Sequence, residues 1–264
     1  MPEVSIIVPC YQEETHLENS VSELVFSLQA FKFDYELIFI DDNSIDNTQL
    51  RLQSIQKKYD RVRVLSNQHN IGRGATVERG IKESTAKVVG FIDIDLCTPP
   101  VNIATLIQLV LEDVVDVATA NRIYKLQMAT LPFMIHRVIL SYGYRILSRY
   151  FLWHKFADTE TGAKFFDRKK ILPVVDKIED KHWFWDTEVM LLSAMEGLRV
   201  VEMPTVYVRR LNKPTTVKIV KNVFLYLKNL WVFRARINEF RKKGGEVKAP
   251  YNYEQIWRKL SGGL

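Results

Sequence analysis

Short apolar segments alternate with amphipathic segments along the first third of the chain, and this alternation constrains the fold more than any other feature. The apolar segments are rich in β-branched residues and are predicted to be strands over 4–9, 36–40, 62–65 and 88–92. The segments between them have helical spacing and predict helices over 14–31, 47–58 and 72–83. Because the strands are continuous apolar runs, both faces of their sheet should be covered. The pattern therefore predicts an α/β fold with a parallel sheet and right-handed crossovers.

The alternation continues less regularly beyond residue 100. It predicts helices over 101–113 and 188–197 and strands over 114–120 and 200–207. The chain has 264 residues, of which 47% are hydrophobic, so it can bury the core of one large domain. Its two cysteines, Cys10 and Cys97, exclude a disulfide framework and a cysteine-rich metal site, which favours a reducing compartment.

Carboxylates follow two of the predicted strands. In open α/β sheets, ligands bind beyond the carboxyl ends of the strands. Asp93 and Asp95 can both turn toward one cation, and their hard oxygen ligands suit Mg²⁺ or Mn²⁺, although such a pair also occurs in solvated turns. Asp42 can accept hydrogen bonds from a nucleoside or can close a local turn.

The segment Gly72-Arg73-Gly74 begins a predicted helix. Its two glycines permit close approach of the backbone, and a helix N-terminus beside Arg73 favours anions. The segment matches neither the dinucleotide-binding fingerprint nor the Walker loop, so phosphoryl transfer by a P-loop is disfavoured.

Four segments occur in the order seen in family 2 glycosyltransferases: 8–13 (VPCYQE), 41–44 (DDNS), 70–74 (NIGRG) and 93–96 (DIDL). Further segments resemble the dolichyl-phosphate mannose and glucose synthase branch, namely 121–124 (NRIY), 158–166 (DTETGAKFF), 185–188 (WDTE) and 202–204 (EMP). Together they cover about residues 4–210. The resemblance implies a GT-A fold, which is a Rossmann-like, mostly parallel sheet flanked by helices.

The resemblance also implies roles for individual residues. It assigns the nucleotide-sugar donor to Pro9, Tyr11, Glu13, Asp42, Gly72, Arg73 and Gly74. It assigns the metal and the donor diphosphate to Asp93 and Asp95, and the acceptor phosphate to Arg122, Arg137, Lys164 and Arg210, with Arg122 and Arg210 also catalytic. Cys97 occupies a position where mannose synthases usually carry Gln, which leaves the third metal ligand open.

Direct inverting attack by a lipid phosphate oxygen does not require a general base, because that oxygen is already ionised near neutral pH. Asp186 and Glu188 are the acid/base candidates if one is used; their other interpretation is as capping and first-turn acids of a helix. The resemblance implies a nucleotide sugar as donor, with GDP-mannose favoured over UDP-glucose, and a dolichyl or polyprenyl phosphate as acceptor. The alternatives are transfer to a soluble sugar or protein hydroxyl, and a non-catalytic nucleotide-sugar binding protein.

Residues 128–153 combine a mostly apolar composition with a row of polar residues. Arg137, Ser141, Arg145 and Arg149 recur every four residues, which places them on one face of a helix. One interpretation is a buried helix with a solvated stripe. We favour an interfacial helix whose arginines meet phosphates and whose apolar flank enters the acyl chains.

The end of the chain is strongly basic. Residues 209–264 carry 14 Lys and Arg against 3 Asp and Glu, whereas the preceding 208 residues carry 23 against 28. The basic segment has an apolar face, formed by Val220, Val223, Leu227, Leu230 and Trp231, and no recognition module for nucleic acid is apparent. Anionic headgroups attract such a segment by about 1 kcal/mol per Lys or Arg.

We therefore predict a catalytic domain over 1–210 and a membrane-associating tail over 211–264. We see no signal peptide and no clean apolar stretch of about 20 residues, so we expect a peripheral protein on the cytoplasmic face of a membrane.

Overall fold

The computed structural model describes residues 1–124, 131–208 and 219–261, except for the side chains of 131–137, 219–223, 253 and 259. The strands are β1 (Val4–Cys10), β2 (Tyr35–Asp41), β3 (Val62–Ser66), β4 (Val88–Ile92), β5 (Val117–Tyr124), β6 (Ala163–Asp167) and β7 (Val200–Tyr207). The helices are α1 (Leu17–Gln29), α2 (Thr48–Lys58), α3 (Arg73–Glu83), α4 (Ile103–Leu111), α5 (Leu131–Leu152), α6 (Arg168–Val175), α7 (Trp185–Met195), α8 (Ile219–Lys242) and α9 (Tyr253–Leu260).

The strands of the described chain form one sheet in the order β3-β2-β1-β4-β6-β5-β7. Strand β6 is antiparallel to both of its neighbours, β4 and β5, while the other pairs are parallel. The carboxyl ends of β1, β2, β4, β5 and β7 therefore lie along one edge of the sheet, and β6 begins at that same edge. This mostly parallel sheet confirms the predicted fold class.

Helices cover both faces of the sheet because alternate strand residues point in opposite directions. Ile6 and Val8 of β1 join a core cluster with α1, α2 and α4, whereas Ile7 joins a second cluster with α3, α6, α7 and α8. In the second cluster Trp185 is fully buried and meets Phe91 edge-to-face, with ring centroids 5.8 Å apart. Burial of each such side chain contributes roughly 1.5–3 kcal/mol before entropic costs.

Sequence periodicity locates the first half of the fold well. The helix predicted over 188–197 begins three residues earlier, at Trp185, and the strand predicted over 114–120 begins three residues later, at Val117. Strand β6 and helix α6 were not predicted. Strand β6 has only five residues and carries adjacent phenylalanines: Phe165 packs into one core cluster and Phe166 into the other. A strand that is buried on both faces lacks the alternation of apolar and polar residues that would have predicted it.

Helices α5 and α8 pack side by side. Tyr144 of α5 meets Tyr226 of α8 with ring centroids 5.0 Å apart, and Phe151 meets Trp231 at 5.5 Å. Phe233 and Ile237 of α8 are fully buried in the core that also holds α7. Among the described residues, no helix is both long enough and apolar enough to span a bilayer. The division of the chain at residue 210 remains a prediction.

Of the two interpretations of the 128–153 helix, the solvated stripe does not hold at Arg145, and the interfacial helix stays a prediction. The guanidinium of Arg145 does not face outward, because it is buried against the carboxylate of Asp158, and Nε of Arg149 donates to the carbonyl of Phe156 at 2.5 Å. The apolar side chains take the outward positions instead; Ile146 and Tyr150 are 66% and 80% exposed. The side chain of Arg137 lies outside the described residues.

Candidate active site

The loops after β1 and β2 are joined by hydrogen bonds, and they bring together the residues predicted to bind the donor. The backbone N–H of Gln12 donates to the Ser44 hydroxyl at 2.9 Å, and that of Glu13 donates to the Thr48 hydroxyl at 2.8 Å. Pro9 ends the apolar part of β1, Tyr11 is exposed, and Glu13 is buried. These residues share one end of the sheet, as the pattern predicts.

Asp42 is buried and holds a turn of the protein itself. Its carboxylate accepts hydrogen bonds from the backbone N–H groups of Ile71 and Gly72, both at 2.9 Å, and from the Asn67 amide at 2.7 Å. These partners lie 29 and 30 residues along the chain, so Asp42 does not close the local turn that the sequence allows but holds a distant loop. Donor binding by Asp42 stays a prediction. Because its carboxylate holds the loop at 70–74, Asp42 would act on the donor through the position of that loop.

The two glycines of that loop permit close approach to another part of the protein. Gly72 has a positive φ of 94°, and a Cβ there would lie 2.4 Å from Nδ1 of His182. A Cβ on Gly74 would lie 2.5 Å from Cβ of Trp185. The N–H of Ala75 donates to the Lys181 carbonyl at 3.0 Å. The start of α3 is therefore packed against residues 181–185, and this contact positions Arg73.

The guanidinium of Arg73 lies between two carboxylates. It donates to Oδ1 of Asp93 from Nε at 2.9 Å and from a terminal nitrogen at 2.6 Å. Its other terminal nitrogen donates to Oδ2 of Asp186 at 2.7 Å. The ring faces of Phe91 and Trp183 lie 5.0 and 5.2 Å from its central carbon. The cation is thus fixed in place, and a rigid guanidinium beside the carboxylate that is predicted to bind a metal can stabilise a developing negative charge.

Lys164 lies away from any open surface. Its ammonium group is fully buried and donates to Oδ1 of Asp186 and to the Thr161 carbonyl, both at 2.6 Å. A buried ammonium paired in this way neutralises a buried carboxylate. The geometry therefore favours Lys164 as the counter-ion of Asp186 over the predicted contact with the acceptor phosphate, because the ammonium has no exposed surface.

Asp93 and Asp95 follow β4 directly and are both partly exposed. Each uses one oxygen within the described chain: Oδ1 of Asp93 accepts from Arg73, and Oδ1 of Asp95 accepts from the Cys97 N–H at 3.0 Å. Their second oxygens make no hydrogen bond to the described residues. No cluster of three or more His, Cys, Asp or Glu able to hold a metal occurs among those residues. Two carboxylates still fit Mg²⁺ or Mn²⁺, since such ions take one or two carboxylates and complete their shell with substrate phosphates and water.

Cys97 is buried and hydrogen-bonds with the hydroxyl of Tyr207, and burial with this neighbour raises the pKa of that phenol. The backbone N–H of Val208 also donates to the Cys97 carbonyl at 2.9 Å. The Asp95 turn is therefore tied to the end of β7. These contacts give Cys97 a packing role.

Two guanidinium groups share the carboxylate of Asp158. Arg122 binds it through Nε and a terminal nitrogen, both at 2.7 Å, and Arg145 binds the same carboxylate from α5. Asp158 is buried, and the paired arginines hold its pKa below the usual value against the opposing effect of burial. Two cations around one anion leave a net positive charge next to Tyr124, whose ring is 5.9 and 5.5 Å from the two guanidinium carbons. Such a pair suits a phosphate.

Glu160 is a candidate that sequence reasoning did not select, although it lies in the DTETGAKFF segment. Its Oε1 accepts from the Thr187 hydroxyl at 2.7 Å and its Oε2 accepts from the Tyr226 hydroxyl at 2.6 Å. Burial and the nearby charge of Asp186 raise the pKa of Glu160 to about 7. The sequence signal was a carboxylate between two threonines in that segment. It could not be interpreted from the sequence, because the partners of the carboxylate come from α7 and α8 in the folded chain.

Three predicted residues remain: Asp186, Glu188 and Arg210. Asp186 is buried and shares the guanidinium of Arg73 with Asp93. Glu188 accepts hydrogen bonds from the backbone N–H groups of Glu179 and Asp180 at 2.8 and 3.0 Å, and burial raises its pKa. Glu188 therefore anchors the loop before α7. Arg210 lies outside the described residues.

The sequence model described as Glycosyl transferase family 2 matches residues 5–172. The chain belongs to this family. Glycosyltransferase AglD of Haloferax volcanii is 31% identical over 204 residues, which are 76% of this chain and 32% of that protein. Dolichyl-phosphate beta-glucosyltransferase of Dictyostelium discoideum is 26% identical over 213 residues, 76% of this chain and 64% of the relative. Dolichol-phosphate mannosyltransferase of Pyrococcus furiosus is 30% identical over 230 residues, which are 86% of this chain and 62% of that protein. The chain thus spans less than two thirds of each of these relatives.

Solved glycosyltransferase structures share the fold. Glucosyl-3-phosphoglycerate synthase of Mycobacterium tuberculosis, in complex with phosphoglyceric acid, has a TM-score of 0.63 at 16% identity, covering 89% of this chain and 80% of that one. Mannosyltransferase PcManGT of Pyrobaculum calidifontis, in complex with GDP-Man and Mn²⁺, has a TM-score of 0.62 at 15% identity, covering 98% and 69%. At these identities the likeness establishes the GT-A type of fold.

Proposed function

We propose that the chain transfers a hexose from a nucleotide-diphosphate sugar to a dolichyl or polyprenyl phosphate, with inversion at the anomeric carbon. The observation that carries the proposal is the pairing of two charged centres at one sheet edge. Asp93 and Asp95 with Arg73 form one centre, and Arg122 with Arg145 forms the other. The relatives named for dolichyl-phosphate glucose and mannose transfer support the same chemistry.

The first centre suits the leaving group. Charge accumulates on the departing nucleoside diphosphate as the sugar bond breaks. Asp93 and Asp95 would hold Mg²⁺ or Mn²⁺, which when bound supplies positive charge to the diphosphate. Arg73 adds a guanidinium that is already fixed beside Asp93 in the folded protein, so it does not need to reorganise during the reaction.

The second centre suits the acceptor. A phosphate monoester is ionised near neutral pH, so its oxygen needs orientation rather than deprotonation. Arg122 and Arg145 are held in one geometry by Asp158, and they retain one net positive charge for the phosphate. Arg137 and Arg210 remain proposed contributors. Asp186 is paired with Arg73 and Lys164. This scheme does not require Asp186 as a general base, because the acceptor oxygen is already ionised.

A lipid acceptor lies in a membrane, and the paired helices α5 and α8 form a protein surface suited to contact with a membrane. Large apolar side chains point outward from both: Phe224 and Trp231 of α8 are each 70% exposed, beside Ile146 and Tyr150 of α5. Arg241, Lys242 and Lys243 follow at the end of α8. We propose that this face, defined by those four apolar residues, rests on the anionic cytoplasmic face of a membrane.

A panel of nucleotide sugars, offered with a polyprenyl phosphate in vesicles and with Mg²⁺ or Mn²⁺, tests the proposal. We expect a glycolipid from one donor, GDP-mannose first and UDP-glucose second, and no product after chelation of the metal. Asp95→Ala should lose at least about a hundredfold in turnover, as when a charge-stabilising group is removed. It should remain folded, because it forfeits one turn hydrogen bond worth about 1 kcal/mol. Transfer to a soluble sugar or protein hydroxyl alone, or binding without turnover, would favour the alternatives.

A further inference from the structure

The carboxylate of Glu160 joins three separate elements. It belongs to the loop 158–162, its Oε1 accepts from Thr187 of α7, and its Oε2 accepts from Tyr226 of α8. The Thr187 hydroxyl also meets the hydroxyls of Tyr144 at 2.7 Å and Thr159 at 2.9 Å. Among the described residues, both oxygens of Glu160 thus have donors, and one of the two donors comes from the helix with the exposed apolar face.

The loop 158–162 touches both charged centres of the cleft. At its start, Asp158 binds the guanidinium groups of Arg122 and Arg145. At its end, the Gly162 carbonyl accepts the backbone N–H of Asp93 at 2.9 Å. Glu160 lies midway between these contacts. The loop 158–162 therefore links the two charged centres through contacts at both of its ends.

Tyr226 is close in sequence to residues of the proposed membrane face. It lies on the same helix as Phe224 and Trp231, which point outward, while its own ring packs inward against Tyr144 and Phe184 at 5.0 and 6.1 Å. The same helix also reaches the loop before α7, where the Asn229 amide donates to Asp180 at 2.7 Å. Tyr226 thus connects Glu160 to the helix that carries part of the proposed membrane face.

We propose that Glu160 is a positioning residue that couples the contact of α8 with a bilayer to the conformation of the loop 158–162. The inference rests on the proposed membrane association. Glu160 is only partly exposed and lies close to the charge of Asp186, so its carboxylate is costly unless hydrogen-bond donors surround it. When α8 is held against a bilayer, Tyr226 supplies the second donor and the loop is fixed. Without a bilayer, the hydrogen bond between Tyr226 and Glu160 still forms but opens more often, and the loop loosens with it.

Hydrogen exchange of backbone amides tests the coupling without any sugar or lipid phosphate acceptor. The full chain is compared with and without vesicles of phosphatidylcholine and phosphatidylglycerol. We expect the vesicles to slow exchange in α8 and also in 158–162. In Tyr226→Phe, which retains the ring packing, α8 should still be protected while the response of the loop falls about tenfold, the loss expected for one charge-assisted hydrogen bond. Glu160→Gln should behave in the same way, and Tyr59→Phe, at the end of α2, is the matched control.

Three results would overturn the coupling: vesicles that leave α8 unprotected, a wild-type loop that does not respond while α8 does, or a Tyr226→Phe loop that responds like the wild type. None of them depends on sugar transfer. If the donor panel yields no product while the exchange pattern holds, the proposed function fails and the coupling stands. If transfer occurs while the loop is silent, the coupling alone fails.

Discussion

Arg73 directs both Nε and a terminal nitrogen to the same oxygen of Asp93, at 2.9 and 2.6 Å. This leaves Oδ2 of Asp93 facing the loop 158–162, where a Cβ on Gly162 would lie 2.0 Å from it. The orientation of this carboxylate is thus set from two sides, by a cation and by a glycine.

Replacement of Gly162 should disturb Asp93 specifically. In Gly162→Ala the new Cβ overlaps Oδ2 and Cγ of Asp93, so the carboxylate must rotate. We expect Mn²⁺-dependent binding of a nucleoside diphosphate, measured by calorimetry, to weaken about tenfold or more, since a displaced ligand cannot keep its geometry. Gly143→Ala is the control, because nothing lies within 4 Å of the added Cβ and an alanine within α5 is favoured by about 1 kcal/mol. Equal binding by the two variants would contradict the prediction.

Removal of the Arg73 guanidinium should destabilise the fold. Arg73→Met leaves the largely buried Asp186 with Lys164 alone and leaves Asp93 without its cation. Breaking a buried ion pair from one side costs about 3–5 kcal/mol, which denaturant unfolding can measure. Arg51→Met, which removes the exposed pair with Glu18, should cost under about 1 kcal/mol. A similar loss in both variants would show that the Arg73 network is energetically no better than a surface pair.

Glu160 should make stability fall as the pH rises toward neutrality. Its pKa in the folded protein is about 7, above the ordinary value of 4.5, so the native state binds the extra proton. The stabilisation is complete below the unfolded pKa and is lost as the pH rises through 7, by about 1–3 kcal/mol. Unfolding free energies between pH 5 and 8 should show this slope in the wild type, on the order of one proton, and less of it in Glu160→Gln. An identical slope in the variant would assign the effect to other groups.

Exposed aromatic residues of α8 should govern vesicle binding. Phe224→Ser and Trp231→Ser remove side chains that are each 70% exposed; Trp231 also loses its ring contact with Phe151, but the buried residues of α8 remain, so the fold should persist. Burial of each in a membrane interface is worth about 1–3 kcal/mol, so sedimentation with anionic vesicles should fall about tenfold per substitution. Phe26→Ser on α1, at 77% exposure, is the control. Equal losses in all three variants would remove α5 and α8 from the contact.

The sequence predicts the first half of the fold because β1–β4 are apolar runs separated by amphipathic helices, a pattern in which local and tertiary preferences agree. It also brings Asp93 and Asp95 to the correct sheet edge. It could not predict that Asp42 would be occupied by the turn at 70–72, or that Arg73 and Lys164 would both meet Asp186. Those contacts join residues more than 20 positions apart. The two with Asp186 exist only once α7 has packed against α3 and β6.

The arginine row of α5 shows a second reason for failure. A period of four residues identifies one face of a helix but does not say which way the face turns. Burial of Arg145 becomes favourable only because Asp158, on a separate loop, supplies a carboxylate. The apolar side chains then occupy the outward face, the reverse of the usual partition for a helix packed on a core.

The reversed strand β6 has a consequence for how this protein can vary. Because β6 runs against its neighbours, the residues that precede it arrive at the same rim as those that follow β4. A change in the length of the chain between α5 and β6 would therefore alter the floor of the cleft while every strand kept its register. We expect natural diversity in acceptor choice among similar chains to concentrate in that short connection, with the sheet itself left unaltered.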